Sequence, residues 1–232
     1  MTPPDPGPGA EVLRAALAVL CSRRGPLPVV TVTWAQSAAG AIATADGRPL
    51  ALSGRESMRL THHLRAAHDA ILVGISTVIA DDPLLSARLP PGTSPQPQPV
   101  VLDTRLRFPE GARLLARADR KPWIFHCEEP GAAGAALEQR GARLFRVGRG
   151  PGGVDLYAVL QVLHAQGIHS LMVEGGAKVL RAFLAAGFAE QVVVTVSPST
   201  VHGLRGPDIP VLVQTISGKV GADTVTWGTP NA

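Results

Sequence analysis

Short, apolar, largely β-branched runs recur between segments of helical character, and this alternation restricts the fold more than any other feature of the chain. Val29 to Trp34, Ala70 to Gly74, Val100 to Leu102, Pro122 to His126, Ala142 to Val147, Ser170 to Val173 and Gln191 to Val196 read as strands. Ser53 to Ala67, Ser76 to Ala80, Gly131 to Arg140, Leu156 to Gln166 and Gly175 to Ala186 read as helices between them. The strands are nearly continuous in apolar residues, as expected where both faces of a parallel sheet are covered. The pattern therefore predicts an α/β fold, a mixed and mostly parallel sheet with helices on both faces. Spacing in the last third becomes strand-rich, with Val211 to Ile216 and Thr224 to Trp227 expected as an antiparallel edge. Residues 11–232 are expected to form one domain, with a helix over 11–24 as an N-terminal extension and the Pro/Gly-rich 1–10 as a disordered tail. Ser53 with Glu56 three residues later has the form of a capping box. The five prolines between Pro90 and Pro99 predict an exposed loop.

Composition narrows the class of function. Hydrophobic residues make up 45% of the chain, enough for a sizeable core, while aromatics at 4% leave few rings to stack on bases. The net charge of +4 comes from scattered arginines without a basic block, so no nucleic-acid partner is expected and small anions such as phosphates are. No apolar stretch approaches the ~20 residues of a membrane helix, and no secretory signal is visible. Cys21 and Cys127 form neither a disulfide framework nor a zinc site, and both read as buried free thiols. A cytoplasmic protein is the expectation, with no resident metal.

Three segments carry candidate chemistry. Gly148 to Gly153 formally satisfies G-x-G-x-x-G, with Glu174 lying 21 residues beyond Gly153. Pro151 removes an N–H from the turn, and the next helix starts only after Asp155, so a plain flexible loop is the expectation. Val173 to Lys178 follows a strand and opens a helix, where free backbone N–H groups and the dipole favour a phosphate. Its paired glycines, Gly175 and Gly176, permit close approach of a ligand, or simply lubricate a turn. Thr77 to Pro83 ends a helical turn in Asp81 and Asp82, with Arg88 nearby for bidentate phosphate contact, or as a capped turn with a surface arginine. His62, His63 and His68 share a helix with Arg65, but His62 and His63 are adjacent and cannot face one metal; they read as surface or partly buried. The H-E-x-x-H, C-x-x-C and G-x-S-x-G patterns do not occur.

Taken in order, Thr33 to Ser37, Ala51 to Met58, His68 to Gly74, Thr77 to Pro83 with Arg88, Val101 to Arg107 and Val173 to Ala177 resemble the riboflavin-biosynthesis pyrimidine reductases. That family comprises the reductase domain of the bifunctional deaminase-reductase and its stand-alone fungal and archaeal counterparts, and the resemblance spans about Pro28 to Pro198. It implies a dihydrofolate-reductase-like fold, a homodimer, and NADPH-dependent reduction of the ribosylamino group of a pyrimidine 5′-phosphate to ribitylamino. Carried over by position, it implies cofactor contacts at Ala35, Thr77, Asp81 and Thr104, and at Gly175, Gly176, Ala177 and Lys178. It implies substrate contacts at Arg65, Leu85, Arg88 and Glu174, with the arginines facing the phosphate. Asp81 and Glu174 are the carboxylates expected to serve catalysis.

The zinc-deaminase signature H-x-E…P-C-x-x-C is absent from the sequence. The stand-alone resemblance favours 2,5-diamino-6-ribosylamino-4(3H)-pyrimidinone 5′-phosphate as substrate. The alternatives are its deaminated uracil relative, another heterocycle, or a nucleotide-binding module without turnover. The family's Ser-x-Asp-Gly turn is here Ser37-Ala38-Ala39-Gly40, so its aspartate is missing. A lysine common near Thr33 is also absent, and the end of the family core reads Pro198 to Gly203.

Overall fold

The computed structural model describes residues 7–22, 25–89 and 95–231. In chain order the helices are α1 (Gly7–Ser22), α2 (Arg55–Ala67), α3 (Ile75–Asp81), α4 (Arg113–Ala116), α5 (Gly131–Gln139), α6 (Leu156–Ala165) and α7 (Ala177–Ala185). The strands are β1 (Val29–Ser37), β2 (Ala41–Ala43), β3 (Ala70–Gly74), β4 (Gln98–Leu102), β5 (Trp123–His126), β6 (Arg143–Arg146), β7 (Arg149–Gly150), β8 (Gly153–Val154), β9 (Ser170–Val173), β10 (Gln191–Ser197), β11 (Leu204–Arg205), β12 (Leu212–Val220) and β13 (Asp223–Pro230).

Nine strands form one sheet in the order β12-β13-β10-β1-β9-β3-β4-β5-β6. From β10 to β6 every pairing is parallel. β13 and β12 add an antiparallel hairpin at one edge, as the sequence predicts. The period of two along each strand divides the core into two layers. Ile71, Val73, Val101, Met172 and Val193 face one layer with α1, α2, α4 and α5, through Val12, Leu60, Leu64, Leu114 and Leu137. Their neighbours Leu72, Val100, Leu171, Val173 and Val194 face the other, packed against Val159, Leu160 and Leu163 of α6 and Leu180 and Phe183 of α7.

This layering locates a crevice. α3 follows β3 and packs Ile75 and Val78 into the first layer. α7 follows β9 and packs into the second layer. β3 and β9 are adjacent and parallel, so the chain leaves neighbouring strands toward opposite faces. Such a reversal opens a crevice at the carboxyl ends of the strands.

Several local expectations differ from the structure. α1 begins at Gly7, inside the segment expected to be a tail, and ends at Ser22; residues 1–6 and 23–24 lie outside the described residues. Ser53 does not cap α2. The N-cap is Gly54, and the capping carboxylate comes from Asp223 at the start of β13, which accepts the Gly54 N–H at 2.7 Å and the Ser57 hydroxyl. A tertiary carboxylate thus holds the first turn of α2 in place of the local box. Of the proline loop, 90–94 lie outside the described residues, while Gln98 and Pro99 belong to β4. Cys21 is exposed and Cys127 half-buried, because each sits at the margin of its apolar run. His62 and His68 are buried, His68 between the Leu64 carbonyl at 2.7 Å and the Thr31 hydroxyl at 2.8 Å.

Candidate active site

The crevice at the strand ends is a cleft of about 1340 Å³. Single small-ligand pockets run to roughly 300–1,000 Å³, so there is room for two molecules side by side. Its floor is Gly74, its walls come from α3 and α7, and Trp34 and Ala35 at the end of β1 contribute one side.

The turn from β9 into α7 is shaped by crowding. The Glu174 N–H is tied to the Leu72 carbonyl at 3.0 Å, which fixes the turn to β3. A Cβ at Gly175 would lie 2.4 Å from Val73 Cα and 2.9 Å from the Gly74 nitrogen, so only glycine fits against that strand. Gly176 has φ +50° and forms the N-cap of α7 without a side-chain acceptor. The first N–H groups of α7 therefore lack a capping acceptor and lie beside the cleft wall formed by Gly176, Ala177 and Lys178. The Thr77 hydroxyl stands 3.2 Å from the position a Gly176 Cβ would take, which places α3 and α7 side by side around this turn.

Glu174 itself is held by Arg65 from the last turn of α2. Arg65 Nε and Nη2 donate to the two carboxylate oxygens at 2.7 and 2.5 Å, and Nη1 donates to the Ser86 carbonyl at 3.2 Å. The two side chains are 16% and 12% exposed, so this is a desolvated, bidentate pair rather than a surface one. Asp81, the last residue of α3, lines the same cleft. Partial burial of its carboxyl raises its pKa above the ordinary value.

Of the residues singled out in the sequence, Ala35, Arg65, Thr77, Asp81, Thr104, Glu174, Gly176, Ala177 and Lys178 line this one cleft. Three do not. Gly175 is turned against β3, where it sets the backbone. Leu85 is 3% exposed in the core, with φ +46° and its carbonyl held by Arg117. Arg88 is directed at His62, its backbone N–H 3.2 Å from Nδ1 and its Nε 3.2 Å from Nε2. Burial first, then the charges of Arg65 and Arg88, lower the His62 pKa from 6.5 to about 4, so the ring is neutral at neutral pH.

The segment expected to be a flexible loop, Gly148 to Gly153, is instead a tight hairpin. β7 pairs with β8, Arg149 opposite Val154, and Arg149, Pro151, Gly152 and Gly153 line the cleft. Asp155 caps α6 by accepting from the Tyr157 and Ala158 N–H groups, so the helix starts where expected. Arg105 and Arg107 also line the cleft. They fall within the recognised Val101 to Arg107 segment, but nothing in the local pattern distinguishes them from surface arginines. The Ser37 to Gly40 turn forms without an aspartate. Ser37 Oγ accepts the Ala41 N–H at 3.0 Å and donates to the Val201 carbonyl at 2.7 Å, with Gly40 at φ +82°.

Fold and site together define an α/β domain with a large crevice at a topological switch point and an uncapped helix start on its wall. The chain belongs to the RibD C-terminal domain family, whose model matches residues 28–215. It is 37% identical over 177 residues to the 2,5-diamino-6-ribosylamino-4(3H)-pyrimidinone 5′-phosphate reductase of Methanothermobacter thermautotrophicus, covering 76% of this chain and 80% of that one. It is 34% identical over 183 residues to the riboflavin biosynthesis protein RibD of Aquifex aeolicus, covering 78% of this chain and 50% of that protein. The chain thus spans about half the length of that RibD relative. In fold it is similar to the Saccharomyces cerevisiae riboflavin biosynthesis reductase Rib7, with a TM-score of 0.76 at 24% identity over 94% of this chain and 97% of the other.

Proposed function

We propose that the protein is a riboflavin-pathway reductase that uses NADPH to convert the ribosylamino group of 2,5-diamino-6-ribosylamino-4(3H)-pyrimidinone 5′-phosphate to ribitylamino. The observation that carries this reading is a single cleft, in a domain of this family, that joins an uncapped helix start to a buried arginine–carboxylate pair. The residues present fit a dinucleotide. Glycine is required at 175 by its contact with β3 and favoured at 176 by a φ of +50°, and the start of α7 that this turn sets up suits a diphosphate.

When bound, the cofactor supplies the hydride that adds to C1′ of the ring-opened ribosylamine, and one proton from the protein or solvent completes the reduction. In this reading the chain's own groups divide the remaining work. Gly176, Ala177 and Lys178 hold the diphosphate, with Thr77 and Ala35 flanking it and Thr104 farther along. Glu174, with both oxygens engaged by Arg65, is a fixed acceptor for the pyrimidine or its sugar and orients C1′. Asp81, which has a raised pKa and no side-chain hydrogen bond among the described residues, is the better-suited proton source. Arg88 and Leu85 act through the segment Asp82 to Arg88, which also supplies the Ser86 carbonyl to Arg65. We assign the protein to the cytoplasm, where its free thiols stay reduced. We assign it a homodimeric state, for which the open β12 edge offers a surface.

The test supplies the purified protein with NADPH and either the diaminopyrimidinone phosphate or its deaminated relative, and follows loss of the reduced nicotinamide absorbance. Oxidation with the first substrate at the higher kcat/KM is expected. A folded protein that oxidises NADPH with neither pyrimidine would sink the proposal.

A further inference from the structure

The segment Asp82 to Arg88, which follows α3, is held in a strained conformation beside the Arg65–Glu174 pair. Asp82 and Leu85 take left-handed backbone at φ +39° and +46°, which non-glycine residues keep only where neighbours hold them. One set of holds lies on the far side from α2. The Arg113 N–H donates to Asp82 Oδ1 at 2.8 Å, and Arg117 Nη1 donates to the Leu84 and Leu85 carbonyls at 3.0 Å each. Gln96 brackets Ala87, accepting its N–H at 3.1 Å and donating to its carbonyl at 2.9 Å. The other set comes from α2, through His62 and Arg65, which are neighbours on one face of the helix. Arg65 Nη1 donates to the Ser86 carbonyl at 3.2 Å. His62 faces Arg88, whose backbone N–H and Nε lie 3.2 Å from Nδ1 and Nε2.

His62 is 5% exposed, and a buried imidazole carries a desolvation cost that an apolar side chain would not, unless its nitrogens are used. The segment uses them. The charged groups facing the ring are Arg65 on its own helix, Arg88 on the segment and Glu174 at the β9–α7 turn. Burial, and then two cations against one carboxylate, keep the ring neutral. A neutral imidazole has one N–H and one acceptor nitrogen. The N–H suits the Ser86 backbone, with which the ring also hydrogen-bonds, and the lone pair takes one of the two Arg88 donors. A charged ring would have two donors and no acceptor, and would turn Arg88 away. Ser86 therefore answers to both His62 and Arg65. Were the segment to lift off α2, Arg65 would lose the partner of Nη1, and its guanidinium could turn about the Glu174 carboxylate.

We propose that His62 is a positioning residue for the pyrimidine site: its neutral ring pins Ser86 to Arg88 onto α2, and so holds Arg65 in the orientation that aims Glu174 at the substrate. This rests on the reductase reading above. His62 stands behind the cleft wall and acts only through Arg65.

Steady-state kinetics of the intact protein, with NADPH and the diaminopyrimidinone phosphate, compare His62→Phe, which fills the space without an acceptor, with His62→Gln, which restores one. His62→Phe should raise the pyrimidine KM about tenfold, with kcat within about threefold and the KM for NADPH within about twofold. His62→Gln should bring the pyrimidine KM back to within about threefold of wild type. In an Arg65→Met background, His62→Phe should change that KM by less than about twofold. An effect that persists in full without Arg65 overturns the proposal, as does a glutamine variant no better than phenylalanine, or a fall in kcat at unchanged KM. Hydrogen exchange reads the pin without turnover. Amides of residues 84–88 should exchange about tenfold faster in His62→Phe and those of α6 at the wild-type rate, and equal exchange at 84–88 overturns the proposal. Should His62→Phe fail to fold, ring-nitrogen NMR of the wild type decides: a neutral His62 at neutral pH is expected, and a charged ring overturns the pin. A wild type that oxidises NADPH with neither pyrimidine defeats the reductase reading, while exchange still decides whether His62 holds the segment.

Discussion

The Arg65–Glu174 pair can be taken apart in a double-mutant cycle, with Arg65→Met, Glu174→Gln and the combined variant. At 16% and 12% exposure the pair belongs to the buried regime, in which removing one partner strands the other. The cost of that is ~3–5 kcal/mol. Residual solvent contact and the Ser86 carbonyl that keeps part of Arg65 satisfied argue for the lower end, ~3 kcal/mol for each single change. The combined variant leaves no stranded charge, so its loss should be no larger than that of either single change and far from the sum, which makes the coupling at least about 3 kcal/mol. For a domain of this size ~1 kcal/mol moves Tm by about 2–4 °C. Each single variant should therefore melt roughly 6–12 °C lower, and the double no lower than either. Urea unfolding followed by circular dichroism gives the same comparison at fixed temperature. Single losses below ~1 kcal/mol, the range of surface pairs, or losses that simply add, would refute the reasoning that this pair is a desolvated unit. The kinetics add a second reading. With both Glu174 oxygens committed to the guanidinium, Glu174→Gln should raise KM for the pyrimidine while leaving the shape of the kcat–pH profile in place.

Asp81→Asn should do the reverse, lowering kcat about 100-fold or more and removing the alkaline limb of the profile. Because burial raises the folded-state pKa of Asp81 above its ordinary 3.8, the native state binds the proton more tightly, and its contribution to stability declines as pH rises past 3.8; denaturation curves of the Asn variant should lack that decline. His62 has the opposite dependence. Its pKa is lowered from 6.5 to about 4, so the stability it contributes is complete above 6.5 and is lost as pH falls toward 4, and His62→Gln should flatten the curve across that window. Gly175→Ala places a Cβ 2.4 Å from Val73 Cα, about 1 Å too close. It should destabilise by ~1–3 kcal/mol and weaken dinucleotide binding as the turn is pushed off β3, whereas unchanged affinity in titration would show that the turn does not hold the ligand. Arg117 is 7% exposed and donates to the Leu84 and Leu85 carbonyls at 3.0 Å. Arg117→Ala should cost about 2–3 kcal/mol and raise the pyrimidine KM more than it lowers kcat, measured in the same steady-state series.

The sequence by itself determined the architecture and the membership of the cleft's main elements. Strand runs with period-two burial and helices with short connections leave few arrangements other than a parallel sheet covered on both faces, and α2, α3, α5, α6 and α7 lie within a few residues of their expected bounds. The β9–α7 turn was legible because glycine pairs at a strand-to-helix junction answer a local steric demand, and Gly175 does meet Val73 as that demand requires.

Tertiary structure decided what depends on groups far apart in the chain. The cap of α2 comes from Asp223, more than 160 residues from Ser57, and no local pattern around Ser53 records it. Glu174 is expected from sequence as a substrate-facing carboxylate, and it becomes half of an ion pair because the last turn of α2 ends beside it. Arg88 reads as a phosphate ligand, and in the fold its Nε lies against His62, a partner no local pattern records. Gly148 to Gly153 reads as a flexible loop, and becomes a wall of the cleft because the β4 turn and Lys178 lie against it. Local sequence specifies backbone conformation through sterics and periodicity, which act over a few residues. The partner of a charge is set by which strand ends the topology brings together, and that is a property of the folded sheet.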